Sequence, residues 1–135
     1  MGSLQHDAGA PGMEGYPYGS VASYADTEPS TGQPILLLSY LERNIINYKM
    51  DGRCSLSLEP TPTDLSEPMM DPRMTIMGTL TAIPDDEIPS ASKTYLKKHP
   101  QARLWQNFGD MQYYCTLFIF VLFLIGTSFI RVFVI

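Results

Sequence analysis

Histidine and cysteine are scarce, with two of each in 135 residues. Cys54 and Cys115 lie far apart, forming neither a CxxC dithiol nor a zinc-ligand pair, so no metal site is predicted. His99, between Lys98 and Pro100, reads as a helix-end residue, and His6 lies in a weakly structured opening. Neither is expected to be catalytic. Positive charge is also in short supply: 9 Lys+Arg against 14 Asp+Glu leave a net charge of -5, which excludes nucleic acid as the main partner because phosphate neutralisation needs a cationic surface. The amino terminus lacks the basic start and apolar run of a signal peptide, and none of Asn44, Asn47 or Asn107 sits in an N-x-Ser/Thr acceptor. Gly2 meets one requirement of myristoylation, but His6 stands where that motif carries Ser or Thr. These residues assign no compartment.

What is present is uneven. The length suits a single core, and five of the six Phe lie beyond Cys115, in "CTLFIFVLFLIGTSFIRVFVI". This segment has no charge before Arg131. As a helix rising about 1.5 Å per residue it would span a hydrocarbon core of about 30 Å, so residues 115–135 read as a transmembrane anchor, an aberrant carboxy-terminal end, or a strand covered on both faces. Anchor and aberrant end are placed level, ahead of the strand.

Ahead of it, glycine and proline between residues 8 and 19 predict a flexible opening, with a short strand at Ser3–His6. "YGSVASYAD" and "PILLLS", separated by the turn chemistry of "TEPSTGQP", predict a hairpin whose second strand is buried on both faces. In "YLERNIINYKM", Leu41, Ile45, Ile46 and Met50 recur at helical spacing, and Asp51-Gly52 stops the element. "RCSLSLE" alternates with period two, placing Cys54, Leu56 and Leu58 on one face and Ser55 and Ser57 on the other. "PTPTDLSEPMMDP", with its four prolines, is loop. "RMTIMGTLTAI" is a strand with a bulge expected at Gly78. Acids at Asp85–Glu87 and bases at Lys93, Lys97 and Lys98 frame a second helix that becomes regular near Ser90; the acid run offsets the helix dipole rather than holding a cation. Trp105 and Phe108 are read as core or dimer-facing anchors, with core as the default. The irregular spacing of short strands favours a mainly β protein with two or three short helices, built as a small barrel.

Four segments, "GYPYGSVASYAD", "PILLLSYLERNIINYKMDGRCSLSL", "PRMTIMGTL" and "YLKKHPQARLWQNFGDMQYY", together resemble in order and spacing the pyridoxamine 5'-phosphate oxidase-like FMN-binding split barrels, and within them the CREG-like and haem-utilisation (HugZ-like) branches. The resemblance covers roughly residues 15–114. It implies three regions: a flexible opening at 1–14, a split β-barrel at 15–114 whose closing strands are missing, and the hydrophobic tail at 115–135. It also implies a homodimer, with FMN or another planar cofactor in clefts at the dimer interface. On this resemblance the cofactor-binding candidates are Ser20, Ser39, Arg43 and Asn47, with Arg43 as the phosphate ligand. HugZ-like members carry a His-Thr pair where this chain has Asn44-Ile45. CREG-like members also lack that pair and leave the flavin cleft unused. No catalytic acid, base or nucleophile is assigned. The functional expectation is a non-catalytic CREG-like protein acting through dimerisation and protein contacts. The alternatives are an FMN-dependent oxidoreductase and a tail-anchored membrane protein with a barrel head.

Overall fold

The computed structural model of the chain describes residues 1–5, 12–27, 29–59, 71–125 and 129–134. Its strands are β1 (Gly2–Leu4), β2 (Pro17–Gly19), β3 (Tyr24–Ala25), β4 (Ile35–Ser39), β5 (Cys54–Leu58), β6 (Arg73–Ala82), β7 (Met111–Ile125) and β8 (Phe129–Val134). Two helices, α1 (Arg43–Met50) and α2 (Ile88–Lys98), and a 3-10 turn at Pro100–Leu104 complete the described elements. The strands form one antiparallel sheet in the order β2-β1-β5-β6-β7-β4-β3, with β8 added to β7.

Curvature of this sheet follows from its connectivity. Laid flat, the seven strands of that path would hold β2 and β3 about 29 Å apart at about 4.8 Å per neighbour. Yet only Ser20–Ser23 separate the two strands, and a chain that short reaches at most about 18 Å. The sheet therefore curls until its edges approach, giving the split β-barrel expected from the sequence. The predicted single strand over "YGSVASYAD" is accordingly two strands at opposite edges, joined by Ser20–Ser23, which lie outside the strands.

β4 explains why one short apolar run organises the core. Alternate residues enter different clusters: Ile35 and Leu37 join Ala25, Ile83, Ala91, Tyr95, Ala102 and Tyr113, while Leu36 and Leu38 join Ile45, Leu56, Ile76, Leu80 and Tyr114. The first cluster seats α2, and the second holds α1. Burial on both faces matches the expectation for "PILLLS", and each fully buried Leu or Ile contributes roughly 1.5–3 kcal/mol. The register between β6 and β7 shifts at the expected position, between Met77 and Gly78, but their partners Phe120 and Phe118 leave Ile119 as the extra residue, so the bulged strand is β7 rather than β6.

Two expectations are corrected. The apolar spacing in α1 selected Leu41 and Met50 for the core, but they are 65% and 69% exposed, and Leu41 precedes the helix. The buried residues of α1 are Asn44, Ile45 and Asn47. The tail also differs from the helical reading. β7 runs without a break from Met111 across Cys115 to Ile125, pairing with β6 from Arg73↔Leu124 to Ala82↔Tyr114. Its Phe, Ile, Val and Thr content favours extended backbone, and β6 offers a long unpaired partner. Among the described residues no helix is long and apolar enough to cross a membrane. Residues 60–70 of the expected loop "PTPTDLSEPMMDP", and His6, lie outside the described residues.

Candidate functional site

The polar residues of the core face of α1 meet β1 and the end of β2. Asn44 and Asn47 are 1% and 0% exposed, so their amides need partners inside the protein. Ser3 of β1 supplies them: Asn47 Nδ2 donates to Ser3 Oγ at 3.0 Å, and Ser3 Oγ donates to Asn44 Oδ1 at 2.8 Å. Asn44 Nδ2 in turn donates to Ser20 Oγ at 2.5 Å. The backbone reinforces the join, since Ser20 N–H donates to the Met1 carbonyl at 2.9 Å and the Met1 amine donates to the Ser20 carbonyl at 2.7 Å. Tyr48, one turn from Asn44, donates its hydroxyl to the Leu80 carbonyl and ties α1 to β6.

Ser20 opens onto a groove of about 420 Å³ lined by Met1, Gly2, Gly19, Ser20, Val21, Ser55 and Ser57. Gly2 leaves room for Ser55 here: a Cβ on it would lie 2.8 Å from Ser55 Oγ, which would have to turn away. A second concavity of about 370 Å³ lies beside it, walled by Leu4, Pro17, Met77 and Arg53. Arg53 is held by Asp51, with Nε 2.8 and 3.0 Å from the two carboxylate oxygens. Cys54 also borders this concavity, and burial pushes its thiol from 9.0 to about 11, despite the opposing pull of the Met1 amine. At neutral pH it is a protonated thiol rather than a nucleophile.

The four candidates from the sequence fall into two clusters. Ser20 and Asn47 are joined through Ser3 and Asn44, with Ser20 at the groove and Asn47 fully buried behind it. Ser39 and Arg43 stand at the β4–α1 turn, where Ser39 Oγ donates to Asp110 Oδ2 at 2.5 Å and accepts the Leu41 N–H at 3.0 Å. Glu42 Oε1 lies 3.3 Å from the Ser39 N–H, so two carboxylates flank this turn. Arg43 is half-buried as the first residue of α1. Asn44 and Ser3 were not among the candidates. The available signal was two asparagines three apart on either side of Ile45, which puts amides on the face that enters the core. His99 caps α2, its Nε2 2.8 Å from the Tyr24 carbonyl. Trp105 is half-buried against the α2 cluster, whereas Phe108 is 59% exposed.

The sequence matches the profile of the CREG β-barrel family over residues 1–127. The chain belongs to that family. As a CREG β-barrel chain it has structural neighbours in the pyridoxamine 5'-phosphate oxidase-like FMN-binding split-barrel fold. A heme binding protein from Mycobacterium smegmatis superposes with a TM-score of 0.82 at 20% identity, covering 98% of this chain and 50% of its own. A protein of unknown function from Agrobacterium tumefaciens gives 0.75 at 24% identity, covering 91% and 48%. A pyridoxamine 5'-phosphate oxidase-related, FMN binding protein from Nostoc punctiforme gives 0.56 at 10% identity, covering 99% and 84%. This CREG-family chain thus spans about half the length of the first two. Among curated proteins, none matches the sequence. At these identities the neighbours establish the split-barrel fold. The family match also continues past Tyr114, where the resemblance read from the sequence was expected to end.

Fit to a flavin can be judged from the groove itself. Among the described lining residues it offers the hydroxyls of Ser20, Ser55 and Ser57 and no Lys or Arg, so it holds neutral hydrogen-bonding groups but no side-chain cation to pair with a phosphate.

Proposed function

We propose that this chain is a non-catalytic CREG-like split-barrel protein that acts through protein contacts, first of all with a second copy of itself. The observation that carries this reading is how its ionisable side chains are used. Asp110 and Glu42 brace Ser39, Asp51 holds Arg53, His99 closes α2 on β3, and burial pushes both the Cys54 and Cys115 thiols up. The charged groups and His99 are hydrogen-bonded into the architecture, and the two thiols are kept protonated, a use of these side chains that is structural.

Support for protein contacts comes from the surface beside the Ser39–Asp110 latch. Tyr40 and Leu41 are 43% and 65% exposed, and the Tyr40 N–H donates to the Asp110 carbonyl at 2.9 Å, next to the turn carrying Phe108. Apolar side chains on two adjoining turns form the kind of patch that association covers. Sedimentation of the full chain is expected to give a dimer. Leu41→Glu combined with Phe108→Glu should shift it to monomer with an unchanged circular dichroism spectrum. A wild-type chain that remains monomeric at every concentration tested would defeat this reading.

The second reading, a flavin-binding protein, is favoured by the Ser20 groove. In that case added FMN should raise the melting temperature, since a ligand that prefers the native state stabilises it, and the complex should be yellow. Colourless protein with an unmoved melting temperature at saturating FMN would remove it.

A further inference from the structure

The surface formed by α2 and the 3-10 turn departs from the charge of the rest of the chain. Between Ile88 and Gly109 lie four of the nine Lys and Arg residues, Lys93, Lys97, Lys98 and Arg103, and none of the 14 Asp and Glu. Their placement follows from what the two elements bury. Tyr95 of α2 is 3% exposed, and at about 100° per residue Lys93 and Lys97 each stand about 160° around the helix from it, on the outward side. The 3-10 turn is anchored by Ala102, 0% exposed, and three residues per turn set Arg103 and Leu104 about 120° to either side of it. Arg103 is accordingly exposed and Leu104 is 77% exposed, while Trp105, in line with Ala102, packs half-buried against the α2 cluster. Gln106 fastens this segment to α2, its Oε1 accepting from Ser92 Oγ at 2.8 Å and from the Tyr113 hydroxyl at 2.9 Å. That join draws the turn carrying Arg103 and Leu104 alongside the part of α2 that carries Lys93.

Nearby acids leave this face cationic. Asp85–Glu87 lie at the opposite end of α2, with Glu87 about 15 Å along the axis from Lys97, beyond a Debye length of about 8–10 Å. Asp26 shares a cavity with Lys97 and Lys98, its carboxylate accepting from the Thr27 N–H and the Ser30 hydroxyl, but neither Lys93 nor Arg103 lines that cavity. A lone exposed leucine is ordinary on a protein surface. Set among cations and next to a tryptophan, it has the composition of a segment that lies in a membrane interface: the apolar chain enters the acyl boundary, the indole sits at headgroup level and the cations meet anionic headgroups. The remainder of the chain carries five Lys and Arg against all 14 acids, so an anionic membrane repels the rest of the molecule and turns this face toward itself. An acidic polypeptide would pair with the cations but leave Leu104 in water. We infer that the face made by Lys93, Arg103 and Leu104, with Lys97 and Trp105 beside it, docks on an anionic lipid surface. It is independent of the flavin reading and uses none of Tyr40, Leu41 and Phe108, the residues assigned to self-association.

Flotation of the full chain with lipid vesicles tests this. Wild-type protein should float with phosphatidylcholine vesicles containing about 30% phosphatidylserine, stay behind with phosphatidylcholine alone, and leave the anionic vesicles as salt is raised. Lys93→Gln combined with Arg103→Gln should lower partition about 25-fold, about fivefold for each cation. Leu104→Ser should lower it about tenfold without changing its salt dependence. Lys49→Gln removes an exposed cation from α1 instead and should leave partition unchanged. All four positions are exposed, so each variant should keep the circular dichroism spectrum of the wild type. Failure of the wild type to float with anionic vesicles would overturn the inference, as would equal flotation with phosphatidylcholine alone or an equal loss in Lys49→Gln. Binding to polyglutamate in place of vesicles, weakened in the Lys93/Arg103 variant and untouched by Leu104→Ser, would overturn it in favour of an acidic protein partner.

Discussion

A chain ending at Tyr114 is expected to lose cooperative unfolding and to self-associate. The ladder between β6 and β7 runs from Arg73↔Leu124 to Ala82↔Tyr114, so the deletion removes every partner of Arg73–Thr81 on that side. β4 would keep nearly all of its pairing with Met111–Cys115, and β5 would still cover Met74–Gly78 from the other side. The lost ladder bonds contribute about 0.5–1.5 kcal/mol each, and several together are comparable to the whole stability of a domain, about 5–15 kcal/mol. The exposed edge of β6 would then be free to pair with another chain. Thermal melts followed by circular dichroism, with light scattering on the same samples, test this. A sharp melt of monomeric shortened protein at the temperature of the full chain would show that β7 beyond Tyr114 does not close the sheet.

The same ladder shows where the sequence was legible and where it was not. Unbroken hydrophobicity marked β4 as a strand buried on both faces, a local consequence of composition, and glycine in an alternating run marked where the β6–β7 register shifts, at Met77/Gly78, although the extra residue is Ile119 of β7. Residues 115–125 are just as unbroken, and there length and hydropathy favoured a helix. What decides in favour of a strand is a non-local fact, the ten-residue β6 waiting for a partner. Ser20–Ser23 were unreadable for a related reason. Their residues suit a strand, but they bridge opposite edges of the sheet and, beyond the backbone pair between Ser20 and Met1, belong to none of its ladders. At the candidate site, Ser20 was found by resemblance, but the polar chain behind it was not. Asparagine looks like a surface residue unless its partners, here Ser3 and Ser20 from distant positions, are known to converge on it.

The rotation of α1 provides the second large effect. Ile45 is 0% exposed and packs with Leu36, Leu38, Leu56, Ile76, Leu80 and Tyr114. Most of these lie on strands locked by ladder hydrogen bonds on either side, so the walls around a missing side chain cannot readily collapse. Ile45→Ala is therefore expected to cost roughly 2–5 kcal/mol and to lower the melting temperature by on the order of 10 °C. Met50→Ala, on the same helix but 69% exposed, should change stability by no more than about 0.5 kcal/mol. Grouping Leu41, Ile45, Ile46 and Met50 of "YLERNIINYKM" as the apolar side of the helix would predict comparable losses, although five residues set Ile45 and Met50 about 140° apart. Urea denaturation of the two variants separates these outcomes. Equal destabilisation would mean that α1 presents its apolar stripe to the core, which would turn Asn44 and Asn47 outward and dissolve the polar chain that reaches Ser20. A large loss confined to Ile45→Ala places both asparagines inside, where their amides are satisfied only while Ser3 and Ser20 stay in position.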